Sequence, residues 1–207
     1  SSWDTSGVTS MESMFDGAAA FNRDIGDWAV QSVKDFTEMF GGASSFNQYI
    51  GDWAVHSVTS MDYMFSGSSF NQEIGDWDTS GVKSMEGMFA VNTAFDQDLG
   101  AWDTSGVTTM HRMFAEASAF NQDISGWAVD SVTDVSSMFF SAHAFDQDLG
   151  WCVNDAASPL DAFDDSLCES TNCGVKWETN AGDCDVSSTG NVMVNWKIRI
   201  AVAAWLS

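Results

Sequence analysis

The sequence predicts a repeat solenoid, because the same residue types recur about every 25 positions along most of the chain. Tryptophan returns at intervals of 24 or 25 residues. A valine follows each of the first six tryptophans after five positions, and a Met-Phe pair follows after eleven and twelve. A unit of this length cannot bury its own apolar face, so successive coils are expected to stack and cover one another. The tryptophans are Trp3, Trp28, Trp53, Trp77, Trp102, Trp127 and Trp151.

Each repeat predicts three elements in order. Val-x-x-Met predicts a short strand with a bend, and Met-x-x-Met-Phe predicts a single helical turn on the opposite side. Phe-Asn-Gln-Asp-Ile-Gly then predicts an extended stretch closed by a glycine turn. Two repeats are one residue short, between Phe65 and Phe70 and between Leu149 and Trp151. Both places are expected to be corners and not packed rows.

The apolar rows predict the core, and the methionines within them are expected to fill gaps there rather than to hold a cofactor. An asparagine or aspartate follows the repeated phenylalanine in every copy. We expect its side chain to bond the backbone of the neighbouring coil, which is a structural role. The members of this Asn row are Asn22, Asn47, Asn71, Asp96, Asn121 and Asp146.

The unit Trp-Asp-Thr-Ser-x-Val-Thr-x-Met-x-x-Met-Phe, followed by Phe-Asn-Gln-Asp-Ile, resembles the repeats of the BspA-type leucine-rich-repeat surface proteins. The resemblance covers residues 1–151. It implies a right-handed, leucine-rich-repeat-like β-solenoid with short strands and short helical turns. It also implies a secreted or surface-anchored protein that serves adhesion or assembly, and it carries no catalytic motif. Because the ligands of that family are diverse, the resemblance indicates an architecture more than a partner.

All four cysteines follow the regular repeats, in a degenerate seventh coil predicted to form a C-terminal cap over residues 152–184. Their even number favours two disulfides and an oxidising compartment. Zinc is disfavoured because the spacings include no Cys-x-x-Cys pair and no histidine lies nearby. Three pairings are possible, and closeness in sequence favours Cys152 with Cys168 and Cys173 with Cys184.

The last part of the sequence departs from the repeat. Residues 185–191 predict a linker, and residues 192–207 predict an amphipathic segment. Alternating apolar residues from Val192 to Val202 favour a strand, whereas the common face of Ile198 and Trp205 favours a helix. We favour the helix, because the segment also resembles the helix that precedes the first coil in related multi-module proteins. It is then the N-cap helix that starts a following module.

The composition is strongly acidic, with 30 Asp and Glu residues against 7 Lys and Arg and a formal net charge of −23. The cations are scattered, which excludes nucleic acid as a partner, and no apolar run of about 18 residues predicts a membrane span. We interpret one acidic row along the coils as a solvated face. The alternative is Ca²⁺ bridging successive carboxylates, although no EF-hand or calcium β-roll motif occurs. The row consists of Asp24, Glu73, Asp98, Asp123 and Asp148.

No catalytic site is predicted. A glycosidase needs one pair of carboxyl groups in unlike environments, whereas the repeat offers near-identical copies. His56, His111 and His143 stand at different positions of their repeats, so the repeat does not bring them together. Ice binding by a flat ladder of threonines is disfavoured because Lys34 and Lys83 interrupt that row.

The predicted function is that of a non-catalytic module, extracellular or at the cell surface, that makes protein–protein or protein–glycan contacts. A calcium-dependent surface-layer or matrix module is the alternative. The apolar end of the first coil, around Trp3, Val8 and Met11, is expected to be covered by residues 192–207 of a neighbouring module or molecule. Such head-to-tail contacts are heterologous and propagate into a filament. The segment contributes Trp196, Ile198, Ile200, Val202, Trp205 and Leu206.

Overall fold

The computed structural model describes residues 3–154 and 157–178. Over these residues the repeats lie on one another as coils, because single parallel bridges join positions that are one repeat apart. Seven consecutive coils are joined in chain order in this way. The handedness of the stack and its leucine-rich-repeat-like class stay predictions. The bridged positions are Ser10, Asp35, Ser60, Ser84, Thr109, Asp134 and Ser158.

Regular secondary structure is confined, within the described residues, to the end of the stack. Strand β1 spans Cys152–Asn154, a 3₁₀ helix spans Glu169–Gly174 and strand β2 spans Lys176–Glu178. The two strands pair in parallel, with Val153 opposite Trp177. Partners in this sheet are again one repeat apart, so the sheet continues the stacking of the coils.

The Met-x-x-Met-Phe segment forms consecutive tight turns, and the helical turn expected from its spacing does not form. In the second coil the N–H of Met39 donates to the carbonyl of Phe36, and the N–H of Gly41 donates to that of Glu38. Glu38 and Gly42 have positive φ values of 55° and 63°. A left-handed residue at every fourth position interrupts a right-handed helix, which explains the difference.

This backbone directs alternate N–H groups along the stack. The N–H groups of Phe36, Glu38, Phe40 and Gly42 donate to the third coil, and four equivalent bonds join each successive pair from the first coil to the seventh. Four columns of aligned peptide groups therefore run through the molecule. Their carbonyl ends point toward the first coil and their N–H ends toward the last, so the peptide dipoles add along the stack as they do in a helix.

The core consists of the predicted apolar rows. Every row tryptophan from Trp28 to Trp151 is at most 8% exposed, and the methionines of the second to sixth coils are buried. Within a coil, Phe40 stacks on Phe46 with 3.8 Å between ring centroids. Between coils, Phe40 stacks on Phe65 at 5.7 Å. The core is therefore continuous along the stack, and the methionines fill it as predicted.

The predicted role of the Asn row is confirmed. Asn22 Oδ1 accepts a hydrogen bond from the N–H of Asn47 at 3.0 Å and from Gln48 Nε2 at 2.9 Å. Asp96, which replaces asparagine in the fourth coil, accepts the equivalent bonds from Asn121 and Gln122. The five side chains from Asn22 to Asn121 each tie their own coil to the next one in this way, and either an amide or a carboxylate oxygen serves.

At the shortened third repeat, a buried amide of the fourth coil binds the polar groups of the turn. Asn92 is fully buried, and its Nδ2 donates to Ser68 Oγ at 3.3 Å and to the carbonyl of Phe70 at 3.0 Å. Its Oδ1 accepts from the N–H groups of Ala94 and Phe95. Because Ser68 is itself buried, the missing residue lies at a packed turn whose polar groups are satisfied by the following coil.

The cysteine pairing favoured from the sequence is wrong. Cys168 is bonded to Cys173, with 4.8 Å between their Cα atoms, which excludes both Cys152–Cys168 and Cys173–Cys184. The reason is local: the N–H of Cys173 donates to the carbonyl of Cys168, and Asn172 and Cys173 have positive φ values that turn the chain back. Cys152 is also disulfide-bonded. Cys184 lies outside the described residues.

The linker predicted at residues 185–191 and the amphipathic segment predicted at residues 192–207 lie outside the described residues as well. Within residues 3–154 and 157–178, no helix has the length and apolar character needed to cross a membrane.

Candidate interaction site at the first coil

The first coil presents a row of open backbone groups. Each later coil receives hydrogen bonds on alternate carbonyls from the coil before it, whereas the equivalent carbonyls of the first coil accept none from a described residue. The N–H of Thr9 likewise has no acceptor among the described residues, although the equivalent N–H of Lys34 donates to the carbonyl of Thr9 in the preceding coil. We call these five groups the first-coil edge. Its carbonyls belong to Ser10, Glu12, Met14 and Asp16.

The indole of Trp28 adds an unsatisfied donor at the same end. In the third to sixth coils the row tryptophan donates from Nε1 to the isoleucine or leucine carbonyl 27 or 28 residues earlier, as Trp53 does to Ile25 at 3.3 Å. Trp28 is only 8% exposed, yet its Nε1 has no partner. A buried donor without an acceptor costs about 1–3 kcal/mol. The same holds for Trp151 Nε1 in the seventh coil, so an unpaired indole donor is not confined to this end.

Apolar side chains surround these groups. The predicted residues Trp3, Val8 and Met11 line one depression of about 510 Å³. Trp3 is 60% exposed and stacks on Trp28 with 5.7 Å between ring centroids. Met11 is buried, and the methionine exposed at this end is Met14, at 39%. The structure therefore brings the three predicted residues together and adds Met14 to them.

The other end of the stack is built differently. Pro159 stands at the repeat position whose N–H, in the earlier coils, donates to the next coil. Because proline has no N–H, one of the four peptide columns lacks its last donor. The N–H of Asp165 donates to Glu169 Oε2 at 3.2 Å, which closes a second column. Desolvation and the carboxylates of Asp161 and Glu169 raise the pKa of Asp164. This end is therefore partly capped and carries concentrated negative charge.

The predicted acidic row is exposed along the coils. Asp98 accepts a hydrogen bond from the N–H of Gly100 at 2.8 Å, and Asp24 accepts the equivalent bond from the N–H of Gly26. Hydrogen bonds from the side chain and the backbone N–H of Ser125 lower the pKa of Asp123. Among the described residues, no three His, Cys, Asp or Glu side chains are grouped so that they could hold a metal ion. The exposed members are Asp24, Glu73, Asp98, Asp123 and Asp148.

One serine and one histidine lie in contact between the fifth and sixth coils. His111 Nδ1 is 2.7 Å from Ser136 Oγ, and that hydroxyl is 2.5 Å from Asp134 Oδ1. A carboxylate only accepts, so the hydroxyl proton goes to Asp134 and His111 donates to Ser136. A nucleophilic serine must instead donate to its histidine. His143 contacts a different group, the carbonyl of Asp165.

The threonine row belongs to the stack. The hydroxyls of Thr59, Thr108 and Thr133 donate to carbonyls of the preceding coil at 3.0–3.1 Å. Their protons are therefore engaged in contacts between coils.

The first-coil edge and Trp28 Nε1 were not predicted from the sequence. Patterns of residue type report which side chains are buried, whereas the direction of a peptide group depends on φ and ψ. One signal was present: glycine recurs at Gly17, Gly42 and Gly67. Recurrent glycine at one repeat position is typical of positive φ, and that conformation produces the aligned carbonyls.

Comparison with known proteins identifies the repeats. The family described as "Mycoplasma protein of unknown function, DUF285" matches residues 1–72 and 66–173, which include all six regular coils and most of the degenerate one. No curated protein matches the chain, and no solved structure does. The chain therefore belongs to the DUF285 family of Mycoplasma proteins of unknown function.

Proposed function

We propose that this chain is a non-catalytic structural or adhesive module that works outside the cell or at its surface, through contacts with proteins or glycans. The observation that carries the proposal is the stack of repeats itself. Parallel bridges join seven coils in chain order, and the stack presents an exposed acidic row on a chain whose net charge is −23. Extended surfaces of stacked repeats commonly serve to bind other molecules.

The proposed location is supported by cysteine chemistry. Cys168 and Cys173 form a disulfide, and none of the described cysteines is free. Disulfides persist in oxidising compartments and are rare in the cytosol. A large net negative charge also keeps such a module soluble and limits non-specific association.

The proposed assembly is head-to-tail. The two ends of the stack differ in charge, open hydrogen-bonding groups and apolar surface, so a contact that uses the first-coil end of one molecule is heterologous. Heterologous contacts extend into filaments when they do not close into a ring. The segment 192–207 supplies apolar side chains to this contact, from Trp196 to Leu206.

Deletion of residues 192–207 tests this proposal. We expect the whole chain to form assemblies that grow with protein concentration in size-exclusion chromatography with light scattering. The shortened chain should stay monomeric with an unchanged near-ultraviolet circular dichroism signal from its stacked tryptophans. Assembly that survives the deletion would contradict the proposal.

A calcium-dependent surface-layer or matrix module is the second candidate. The exposed acidic row along successive coils favours it, because carboxylates of neighbouring coils could share an oxygen-liganded cation. The two candidates differ in whether Ca²⁺ stabilises the folded chain.

A further inference from the structure

We propose that a patch at the middle of the stack, formed by Tyr63, Glu86, His111 and Arg112, is a binding site for a neutral glycan. These side chains belong to three consecutive coils and to two adjacent positions of the repeat. We call them the Tyr63 patch. The inference rests on the proposed function, which includes contacts with glycans, and it adds the surface and the chemical class of the ligand.

The repeat keeps its backbone at the patch but changes its side chains. At the repeat position of Tyr63, all seven coils have a φ between 53° and 55°. The side chain nevertheless differs from coil to coil, whereas the position two before Ile or Leu keeps glutamine in five coils, where its amide bonds the preceding coil. Stacking therefore fixes the backbone here and leaves the side chain available for another role. The residues are Ser13, Glu38, Tyr63, Gly87, Arg112, Ser137 and Asp161.

The ring of Tyr63 lies against Gly87 of the next coil. Gly87 is the one glycine at this repeat position among the seven described coils, and its φ of 55° equals that of Glu38, which has a side chain. The backbone therefore does not require glycine there. A Cβ at Gly87 would overlap the ring of Tyr63. The absence of a side chain in one coil thus makes room for the aromatic ring of the coil before it, and Tyr63 stays partly exposed.

Contacts between coils hold the polar groups beside the ring. Tyr63 Oη donates to Glu86 Oε1 at 2.6 Å, and His111 Nδ1 donates to Ser136 Oγ at 2.7 Å. Each contact engages only one atom of the carboxylate or of the imidazole. Among the described residues, none bonds Glu86 Oε2 or His111 Nε2. Both atoms are therefore oriented and available to a ligand.

Arg112 supplies hydrogen-bond donors close to the same ring. Burial and the hydrogen bond to Glu86 raise the pKa of Tyr63, and the positive charge of Arg112 opposes this rise, so its guanidinium lies near the phenol. The ion pair between Arg112 and Glu116 spans 3.9 Å, and 43% of the arginine side chain is exposed. A hydrogen bond is shorter than this distance. The N–H groups of Arg112 are therefore open to a ligand.

A sugar matches this combination of groups. The negative face of an aromatic ring attracts polarised C–H groups, which one face of a sugar ring presents. Hydroxyl groups both donate and accept, so neighbouring hydroxyls bond Glu86 and His111 as donors and Arg112 as acceptors. A basic ligand would place its charge against Arg112, and an acidic one would approach Glu86 on a chain of net charge −23. The mixed charges of the patch thus favour a neutral polyol.

Affinity electrophoresis of the full chain in native gels tests the ligand class. The probes are laminarin, mannan, hydroxyethyl cellulose and a neutral galactan, and alginate is the polyanionic control. We expect at least one neutral polysaccharide to retard the unmodified chain and alginate to leave its mobility unchanged. The dependence of mobility on polysaccharide concentration gives the dissociation constant that the variants below are compared with.

Two substitutions test the aromatic ring. Tyr63→Ala removes it and should weaken binding about tenfold, as expected for the loss of one aromatic contact. Gly87→Ser keeps Tyr63 but fills the space that its ring occupies, and should weaken binding by a similar factor. Ser13 and Ser137 stand at the equivalent position with the same φ, so serine is compatible with the backbone. Urea unfolding checks that both variants keep the stability of the unmodified chain.

Tyr49→Ala is the matched control for the ring. Tyr49 is the second tyrosine of the chain, is 49% exposed and donates to Asp52, but it stands at another repeat position. Its removal should leave binding unchanged. Arg112→Lys keeps the charge and loses the planar fork of donors, so it should weaken binding about three- to tenfold.

The outcomes separate this site from the proposed function. If no neutral polysaccharide retards the chain, or if Tyr63→Ala and Tyr49→Ala have equal effects, the glycan site is overturned, while assembly that requires residues 192–207 still supports the proposed function. If Tyr63→Ala and Gly87→Ser abolish self-association in sedimentation velocity, a second copy covers the patch, which also overturns the glycan. Retardation that Tyr63→Ala weakens, in a chain that stays monomeric, supports the site and contradicts only the assembly.

Discussion

Positive φ is the residue-scale feature on which the stack depends. A left-handed residue stands at the same place in every regular coil, with φ between 54° and 66°. Glycine adopts this conformation without strain, whereas for any other residue it costs about 1–2 kcal/mol of stability. The first three coils have glycine at this position and the next three do not. The residues are Gly17, Gly42, Gly67, Val91, Glu116 and Ser141.

Val91→Gly should therefore stabilise the protein. Val91 is β-branched, has a φ of 59° and is 44% exposed, so little packing is lost with its side chain. Removing the strain stabilises the folded chain, and the greater backbone entropy of glycine in the unfolded chain offsets part of this gain. The free energy of unfolding, measured by urea denaturation, should therefore rise by about 0.5–1 kcal/mol. Gly67→Ala is the control. It should lower the free energy of unfolding through backbone strain alone, because the added Cβ approaches nothing nearer than Gly42 at 3.8 Å. A destabilising Val91→Gly would contradict this account of the backbone.

Tyr63 should make stability depend on pH in alkaline solution. Its hydroxyl donates to Glu86 Oε1 at 2.6 Å, and burial together with Glu86 raises the pKa of Tyr63 to about 12. The folded chain then holds this proton more tightly than the unfolded chain, whose tyrosine has a pKa of about 10. Stability from this group is present below about pH 10 and lost as pH rises toward about 12. Tyr63→Phe should flatten the fall in urea midpoint over that range; an identical slope in both proteins would exclude the effect.

At the scale of elements, side-chain rows were predictable and backbone turns were not. The Trp, Met and Phe rows and the Asn row follow from residue type, because burial and amide bonding repeat with the sequence. Met-x-x-Met spacing fits both a helical turn and the tight turns that form, since each brings residues three apart together. The pairing of Cys168 with Cys173 likewise depends on positive φ at Asn172, which sequence spacing does not report.

The Asn row can be tested with two substitutions at one position. Asn47 Oδ1 accepts from the N–H of Asn71 and from Gln72 Nε2. Asn47→Ala leaves both donors without this acceptor and should lower the free energy of unfolding by about 0.5–1.5 kcal/mol. Asn47→Asp keeps the acceptor, as Asp96 does in its own coil, and should cost less. Equal losses in the two variants, measured by urea denaturation, would contradict the bonding role.

At the largest scale, the described residues form a polar stack. All four peptide columns point the same way, so the first coil ends in carbonyl groups and the last coil in N–H groups. Acidic residues lie where they oppose the N–H ends, as Glu169 does for Asp165, which is the favourable arrangement for such a dipole. The sequence predicted an apolar first-coil end. The direction of the columns could not be read from it, because every repeat contributes the same peptide groups.

Calcium distinguishes the two candidate functions at this scale. A ligand that binds only the folded state must raise the melting temperature. We expect no rise in millimolar Ca²⁺ beyond that in Mg²⁺ at the same ionic strength, because the described carboxylates of the acidic row make turn contacts within single coils. A rise specific to Ca²⁺ would favour the calcium-dependent module instead.

Cysteine cross-linking across the stack tests the central claim, that positions one repeat apart are direct neighbours. Ser60 and Ser84 are parallel bridge partners, whereas Ser60 and Thr109 are separated by one intervening coil. Cα atoms of adjacent strands lie within disulfide range, and those two strands apart do not. After mild oxidation, mass spectrometric mapping of the double variant Ser60→Cys with Ser84→Cys should find a disulfide between the two introduced thiols. The pair Ser60→Cys with Thr109→Cys should give none, and a bond there, or none in the first pair, would contradict the stack.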